Sequence, residues 1–169
     1  LPSKLQYINN YAFYNCSKLQ NIIFPESLTY IGSYAFYKCT SISSINLPNS
    51  ILSIGEYCFY ECTNAVFLSI PNKLTTIPNY AFYKCSKITT ILIPNTVTTI
   101  GDYSFYQCSN VTSSTLSTNT LTIGVRCFDG LSKITKLNLP FILRSLGEYS
   151  FANCSKITEV EIPNSLYIL

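Results

Sequence analysis

The sequence predicts an α/β solenoid in which every repeat contributes one strand and one short helix or turn. Three observations support this prediction. A 23-residue pattern recurs about seven times without an insertion, each copy holds a short strand-like segment, and each holds a compact block of aromatic and cysteine residues. Self-similarity at a period of this length is typical of solenoids, whose repeats are too small to bury a core alone and therefore stack on their neighbours.

The repeat is defined by columns of identical residues. Proline opens each copy, isoleucine or leucine follows six residues later, phenylalanine five residues further, and cysteine three beyond that. The recurrent phenylalanines are Phe13, Phe36, Phe59, Phe82, Phe105, Phe128 and Phe151. One copy departs from the pattern, because Ser117 replaces proline and Leu131 replaces cysteine. In a stacked solenoid, each column becomes a ladder.

The strand-like segments, such as ISSINL and ITTILI, come directly before the prolines. Their last two apolar residues lie two apart, which is the period of a strand with one buried face. Proline ends each strand because it has no N–H to donate. The outward positions of these strands are predicted to be Asn21, Ile23, Ser44, Asn46, Phe67, Ser69, Thr90, Leu92, Ser113, Thr115, Lys136, Asn138, Glu159 and Glu161.

The aromatic block, YAFYKC in its regular form, is predicted to form a short helix. An acidic residue near its start, such as Glu56, and a lysine just past its end, such as Lys87, suit a helix dipole. At about 100° per residue, phenylalanine and cysteine fall on one face and the tyrosines on the other, and a 3₁₀ turn keeps the same separation. The glycine before the block is expected to allow a tight turn. Asn9 and Pro78 replace it in two copies.

The full pattern L-x-x-I-G-x-x-A-F-x-x-C-x-x-I-x-x-I-x-I-P resembles the BspA-like, or Treponema-type, leucine-rich repeat across essentially the whole chain. The resemblance implies a right-handed leucine-rich-repeat solenoid with parallel strands on the concave side and short helices or turns on the convex side. Known members are mostly surface or secreted proteins of anaerobic bacteria and parasitic protists, associated with adhesion to host matrix and cells. The resemblance therefore implies a non-enzymatic protein-binding or adhesion module at the cell surface or secreted.

Composition and charge limit the classes of partner that the chain is expected to bind. The chain is expected to be one elongated domain over residues 1–169 and, because neither end shows a polar cap, a part of a longer protein. A net charge of +3 with only 11% charged residues is too weak for a nucleic-acid reader. No apolar run is long enough for membrane insertion within this segment. The resemblance implies a protein ligand, such as a host matrix or cell-surface protein, and the alternative function is an intracellular leucine-rich-repeat scaffold in the cytoplasm.

No enzymatic chemistry is predicted. The chain has no histidine, so a catalytic triad lacks its base. Cys58 and Cys62 have neither a CxxC spacing nor a histidine partner, so no metal site is expected, and no cofactor is expected either. Glu159 and Glu161 share a strand face, and two carboxylates can serve glycoside hydrolysis. We expect instead a solvated strand with no pocket around the pair.

The sequence is compatible with either disulfides or free thiols at the eight cysteines. Ladder neighbours with Cα atoms about 5 Å apart could be bridged. Leu131, however, fills the same column in one copy, and cysteine beside phenylalanine on an inward face behaves as a small buried apolar residue. Buried free thiols are therefore the favoured prediction.

Two surfaces are candidates for recognition. On the concave face the predicted ligand-binding residues are Ile23, Asn46, Phe67, Thr90, Leu92 and Lys136. Apolar side chains that face water can anchor a partner, although Phe67 can also be explained as compensation for the small Ala65 behind it. The second, aromatic face is predicted at Tyr34, Tyr37, Tyr57, Tyr60, Tyr80 and Tyr83. These tyrosines could bind glycans, matrix protein or another solenoid, or simply shield the core.

The irregular copy over residues 113–131 has two explanations, which are drift in one repeat or a bend or ligand notch in the tyrosine wall. Its Arg126 and Asp129 are predicted to form a surface ion pair of little energetic weight. Three N-x-S/T sequons, at Asn15, Asn110 and Asn153, are predicted to be exposed, although chance accounts for them equally well.

Overall fold

The computed structural model describes residues 1–167, which form a β-solenoid of about seven turns with 23 residues in each turn. Two arrays of parallel strands run along it. The predicted array has three-residue strands: β3 (Ser44–Asn46), β5 (Phe67–Ser69), β7 (Thr90–Leu92), β9 (Ser113–Thr115), β11 (Lys136–Asn138) and β13 (Glu159–Glu161). The array that sequence reasoning missed has two-residue strands: β1 (Tyr7–Ile8), β2 (Tyr30–Ile31), β4 (Ser53–Ile54), β6 (Thr76–Ile77), β8 (Thr99–Ile100), β10 (Thr122–Ile123) and β12 (Ser145–Leu146).

Register confirms the 23-residue period. Ile45 pairs with Leu68, and Ile100 pairs with Ile123, each 23 residues further along the chain. The handedness of the solenoid and the single domain over 1–169 stay predictions, and the end of the leucine column at Leu169 lies outside the described residues.

The prediction of short helices on the side opposite the long strands is wrong, since residues 1–167 contain no helix. The aromatic block is a run of turns in which Tyr57 has φ 56° and Glu61 has φ 54°, both left-handed. A right-handed helix needs a φ near −60°. The physical reason is that alternate N–H groups point to the next turn of the solenoid. Tyr57 N donates to Asn79 O at 3.1 Å, and Phe59 N donates to Ala81 O at 2.9 Å.

The glycine before the aromatic block has a different purpose from the predicted tight turn. Gly55 does not have a positive φ; among the described glycines that conformation belongs to Gly130, at φ 86°. Instead, a Cβ on Gly55 would lie 2.2 Å from the backbone nitrogen of Ser33 in the preceding turn. Gly55 N also donates to Ile31 O at 2.8 Å. A regular residue at this position therefore supplies a backbone N–H and lets the backbones of two turns approach closely.

Pro78 interrupts this column of hydrogen bonds. Having no N–H, it cannot donate to Ile54 of the preceding turn. The two-residue strands accordingly divide into one sheet ordered β1-β2-β4 and another ordered β12-β10-β8-β6. The three-residue strands also divide at this point, into the pairs β3-β5 and β7-β9, with β11-β13 as a third pair. We call the boundary between β4 and β6, and between β5 and β7, the seam.

The core is a stack of ladders between the two strand arrays and the turns. Seven phenylalanine rings stack face to face, with centroids 5.0–5.8 Å apart from Phe13 to Phe151. Leucine and isoleucine columns fill the remaining interior, and Phe36, Phe59, Phe82 and Phe105 are fully buried. Identical residues at the solenoid spacing therefore pack on one another, which explains why the columns vary so little.

Candidate recognition surfaces

The outward residues of the three-residue strands form a continuous surface, which we call the strand face. In β3 the central Ile45 is buried, while Ser44 and Asn46 on either side of it are not. The face is largely polar, but two apolar side chains stand out from it, Phe67 at 57% exposed and Leu92 at 59%. Ile23 is 83% exposed but lies before the first three-residue strand, because residues 21–23 do not form the predicted strand. The predicted outward orientation of these three residues is confirmed.

The predicted ligand residues are spread along this face. Phe67, Thr90 and Leu92 lie on the consecutive strands β5 and β7, on opposite sides of the seam. Ile23 and Lys136 lie about three and two turns away from β7, which is roughly 14 Å and 10 Å at a strand spacing of about 4.8 Å. One compact ligand therefore reaches the central three residues more easily than the whole set. Phe67 is too exposed to fill the core behind Ala65, which is itself fully buried.

The two tyrosine columns form a regular aromatic wall on the turn side. In one column Tyr34, Tyr57 and Tyr80 stack with centroids 4.6 and 4.5 Å apart. In the other, Tyr60 and Tyr83 stack at 4.4 Å. Burial, and then the neighbouring Tyr83, raises the pKa of Tyr60 above its usual value. Each ring covers the face of the next, so a ligand would meet ring edges and hydroxyl groups rather than ring faces. Binding at this second surface stays a prediction.

Charged side chains lie along the edge of the tyrosine wall and make weak contacts with it. Lys38 lies over the Tyr37 ring at 5.5 Å, and Lys84 lies over the Tyr83 ring at 5.3 Å. The carboxylate of Glu61 sits between the two ammonium groups, at 3.8 and 3.9 Å. All four contacts are partly exposed, so each contributes at most about 1 kcal/mol.

In the irregular copy, Arg126 and Asp129 occupy the positions of the two wall tyrosines and form an ion pair. The prediction that this pair lies on the surface is wrong. Asp129 is fully buried, and its carboxylate accepts from Arg126 Nη1 at 2.7 Å and from Asn153 Nδ2 at 2.7 Å. The guanidinium of Arg126 lies 4.5 Å from the centroid of the Tyr149 ring. Arginine is planar and takes the place of a tyrosine ring in the stack, while its partner fills the second column.

A groove of about 530 Å³ opens beside the irregular copy, next to the end of the strand face. We call it the proline-side groove; the residues that define it are Leu116, Leu139, Pro140, Phe141, Ile142 and Glu161. The expectation that no pocket surrounds the Glu159–Glu161 pair is wrong for Glu161, which lines the groove. Sequence reasoning missed this site. The signal was Phe141–Ile142, which follows Pro140 where the copies from Pro25 to Pro94 have polar residues such as Asn49 and Ser50.

The cysteines are free thiols, as predicted. Seven are buried, and Cys16 in the first turn is exposed, so the predicted inward orientation does not extend to that residue. Burial raises the pKa of Cys85 to about 12 and that of Cys39 to about 11. Thiols held neutral in this way are poor nucleophiles and poor metal ligands.

The three sequons differ in their surroundings. Asn15 and Asn153 are exposed, as predicted. Asn110 is only partly exposed, because its Nδ2 donates to Ser86 O at 2.9 Å and Lys133 Nζ donates to its Oδ1. Glycosylation of any of the three stays a prediction.

Two features are absent from the described residues. Residues 1–167 hold no cluster of three or more histidine, cysteine, aspartate or glutamate side chains that could bind a metal ion. The same part of the chain contains no helix that is long and apolar enough to cross a membrane.

The sequence and the fold of the chain are similar to those of known proteins. Residues 1–103 and 75–169 match the BspA type leucine-rich repeat region, in six copies. A leucine-rich repeat protein of T. pallidum is 28% identical with a TM-score of 0.88, covering 94% of this chain and 77% of its own. A leucine-rich cell surface protein from Faecalibacterium prausnitzii A2-165 is 25% identical with a TM-score of 0.85, covering 99% of this chain and 46% of its own. Among curated proteins none matches the chain.

Proposed function

Since this chain belongs to the BspA-type leucine-rich repeat family, we propose that it is a non-enzymatic protein-binding module that works in adhesion, at the cell surface or as part of a secreted protein. The ligand binds the strand face. The cell-surface location is supported by the Faecalibacterium prausnitzii protein, a leucine-rich cell surface protein that is similar to 99% of this chain.

The observation that carries this proposal is the set of exposed apolar side chains on a polar strand face. Phe67 and Leu92 lie on neighbouring turns, each more than half exposed, with the small polar Thr90 beside them. Exposed phenylalanine and leucine bring no benefit to the monomer, whereas buried in an interface such residues can each carry about 2 kcal/mol or more. The surrounding serine, threonine and asparagine residues supply the hydrogen-bonding rim of such a site.

The test uses purified protein added to cultured epithelial cells and to a plate coated with reconstituted basement-membrane matrix. We expect saturable binding that Phe67→Ala and Leu92→Ala each weaken at least about tenfold. Leu52→Ala is the matched control, because Leu52 is also exposed but lies outside the three-residue strands. Equal binding by all three variants would place the adhesive contact elsewhere, and no saturable binding to either surface would refute adhesion.

An intracellular scaffold is the second candidate, favoured by the eight free cysteines, which suit a reducing compartment. Antibody labelling of intact source cells separates the two candidates. Labelling that protease treatment of whole cells removes supports the surface location, whereas labelling that requires permeabilised cells supports the scaffold.

A further inference from the structure

The proline-side groove has the dimensions and lining of a specific binding site. Its volume of about 530 Å³ lies within the range of roughly 300–1,000 Å³ that is usual for ligand sites. Its walls are mainly apolar, from Leu116, Leu139, Pro140 and Phe141, and a few polar groups lie at the edge. Such a combination of apolar walls and few polar groups is what orients a ligand.

The apolar wall is built by residues that the repeat does not require. In the copies from Pro48 to Pro94 asparagine follows the proline, and it can link one turn to the next, as where Asn95 Oδ1 accepts from Thr118 N at 3.2 Å. Phe141 occupies this column and is 81% exposed, and the adjacent Ile142 is 43% exposed. Neither side chain packs into the core, so the solenoid gains nothing from their size. Their position beside the groove indicates a surface that is completed by a ligand.

The charge at the groove is negative and not neutralised locally. Glu161 lines the groove, and its partner on the neighbouring strand is the neutral Asn138. The other acid of the same strand, Glu159, instead faces Lys136. Within residues 1–167 Glu161 takes part in no ion pair, so a cation brought by a ligand would be the first to face its carboxylate.

We propose that the proline-side groove binds an extended peptide in which a leucine- or phenylalanine-sized side chain is followed by lysine or arginine. This rests on the proposed function, because it assigns the groove to a segment of the protein ligand. The apolar side chain enters between Leu139 and Phe141, and the cation pairs with Glu161. Asn138 and Thr115 belong to the same outward column as Leu92, so a peptide in the groove continues directly onto the strand face.

The test is a titration of the ¹⁵N-labelled chain with two capped hexapeptides, Gly-Gly-Leu-Arg-Gly-Gly and Gly-Gly-Leu-Glu-Gly-Gly, followed by amide chemical shifts. We expect the arginine peptide to shift the amides of Asn138, Phe141 and Glu161 with millimolar affinity, and the glutamate peptide to bind at least fivefold more weakly. Phe141→Asn, which restores the residue of the regular copies, should lower the affinity at least fivefold. Glu161→Gln should remove the preference for arginine over glutamate.

The matched controls are Glu159→Gln, on the same strand but outside the groove, and Leu52→Asn; both should bind as the unchanged chain does. Equal affinity for the two peptides, shifts centred outside the groove, or no shift at 10 mM peptide would overturn the proposal. The outcome is independent of the adhesion assay. Peptide binding without adhesion refutes the proposed function alone, and adhesion that depends on Phe67 without peptide binding refutes the groove alone.

Discussion

The thiol of Cys85 donates a hydrogen bond to the backbone carbonyl of Phe59, one turn earlier in the solenoid, with Sγ and O 3.2 Å apart. The same carbonyl accepts from Cys62 N at 3.3 Å, so it receives one bond from within its turn and one from the next. Cys108 makes the corresponding bond to Phe82 at 3.3 Å. Cysteine therefore recurs because its side chain is small and apolar and can still donate to a buried carbonyl.

The first prediction concerns thiol reactivity. A disulfide reagent attacks thiolates, and burial keeps seven of the eight thiols neutral and inaccessible. We expect the native protein to release about one equivalent of reporter, from Cys16, and eight equivalents in denaturant. Cys16→Ser should abolish the native signal, whereas Cys85→Ser should not reduce it. More than two reactive thiols in the native protein would contradict the buried ladder.

Stability should fall at alkaline pH. Burial raises the pKa of the Cys85 and Cys127 thiols to about 12, above the value of 9.0 for a free thiol. The folded state then keeps protons that the unfolded chain releases, so this stability is complete below about pH 9 and is lost as pH rises towards 12. The loss is about 1.4 kcal/mol per pH unit for each thiol. Urea unfolding between pH 7 and 10.5 measures it. Cys85→Ala should show a slope shallower by about one proton, and an unchanged slope would contradict the assignment.

A glycine in the left-handed position of the turn should stabilise the protein. Lys84 has φ 52°, a conformation that costs a non-glycine residue about 1–2 kcal/mol. Its exposed contact with Glu61, at 3.9 Å, offsets only part of this. Lys84→Gly is therefore expected to raise the free energy of unfolding by about 0.5–1 kcal/mol. The control Lys87→Gly, at a residue without positive φ, should lower it by about 0.5–1 kcal/mol. Chemical denaturation measures both, and a loss for both variants would disprove the strain argument.

Close approach at the glycine column predicts a large loss from a single methyl group. Gly55→Ala would bring a Cβ to 2.2 Å from Ser33 N, and backbone on both sides must shift to relieve the contact. We expect the free energy of unfolding to fall by about 2–3 kcal/mol. Ser53→Ala, two residues earlier and exposed, is the control and should change it by less than about 0.5 kcal/mol. Similar values for the two variants would show that the turns are not in contact there.

The Arg126–Asp129 ion pair should tolerate replacement of both residues but not the removal of Arg126 alone. Arg126→Ala leaves the fully buried carboxylate of Asp129 without its cation and with Asn153 as its side-chain donor, so we expect a clear fall in the free energy of unfolding. The double variant Arg126→Tyr with Asp129→Tyr restores both columns of the wall and should be at least as stable as the unchanged chain. Thermal and urea unfolding of the three proteins provide the comparison. A loss below 1 kcal/mol for Arg126→Ala would return the pair to the class of weak surface contacts.

The sequence predicted what one repeat determines by itself. The buried columns, the long strands and the outward orientation of Phe67 and Leu92 follow from the period and from alternation within a few residues. The error over the helices has a physical cause. Tyr57 adopts a left-handed φ because its N–H bonds to the next turn, and no pattern within a single repeat shows that bond.

Departures from the repeat were harder to interpret than the repeat. Arg126 and Asp129 are charged, and their spacing alone fits an exposed pair; the burial of Asp129 depends on the stacking of Tyr149 and on Asn153 in the following turn. The proline-side groove depends on three turns together, so no single copy contains it. Phe141 was nevertheless visible as an aromatic residue in a polar column.

The missing N–H of Pro78 removes one backbone hydrogen bond between neighbouring turns, so the two-residue strands are held together less strongly at the seam than elsewhere. On the strand side the ladders stop at the seam, whereas on the turn side Tyr57 N and Phe59 N still bond across it. A pulling force or a curved ligand would therefore separate the strand side first, with the tyrosine wall as the pivot. Phe67 and Leu92 lie on opposite sides of the seam, so a movement there would change the distance between the two proposed anchors.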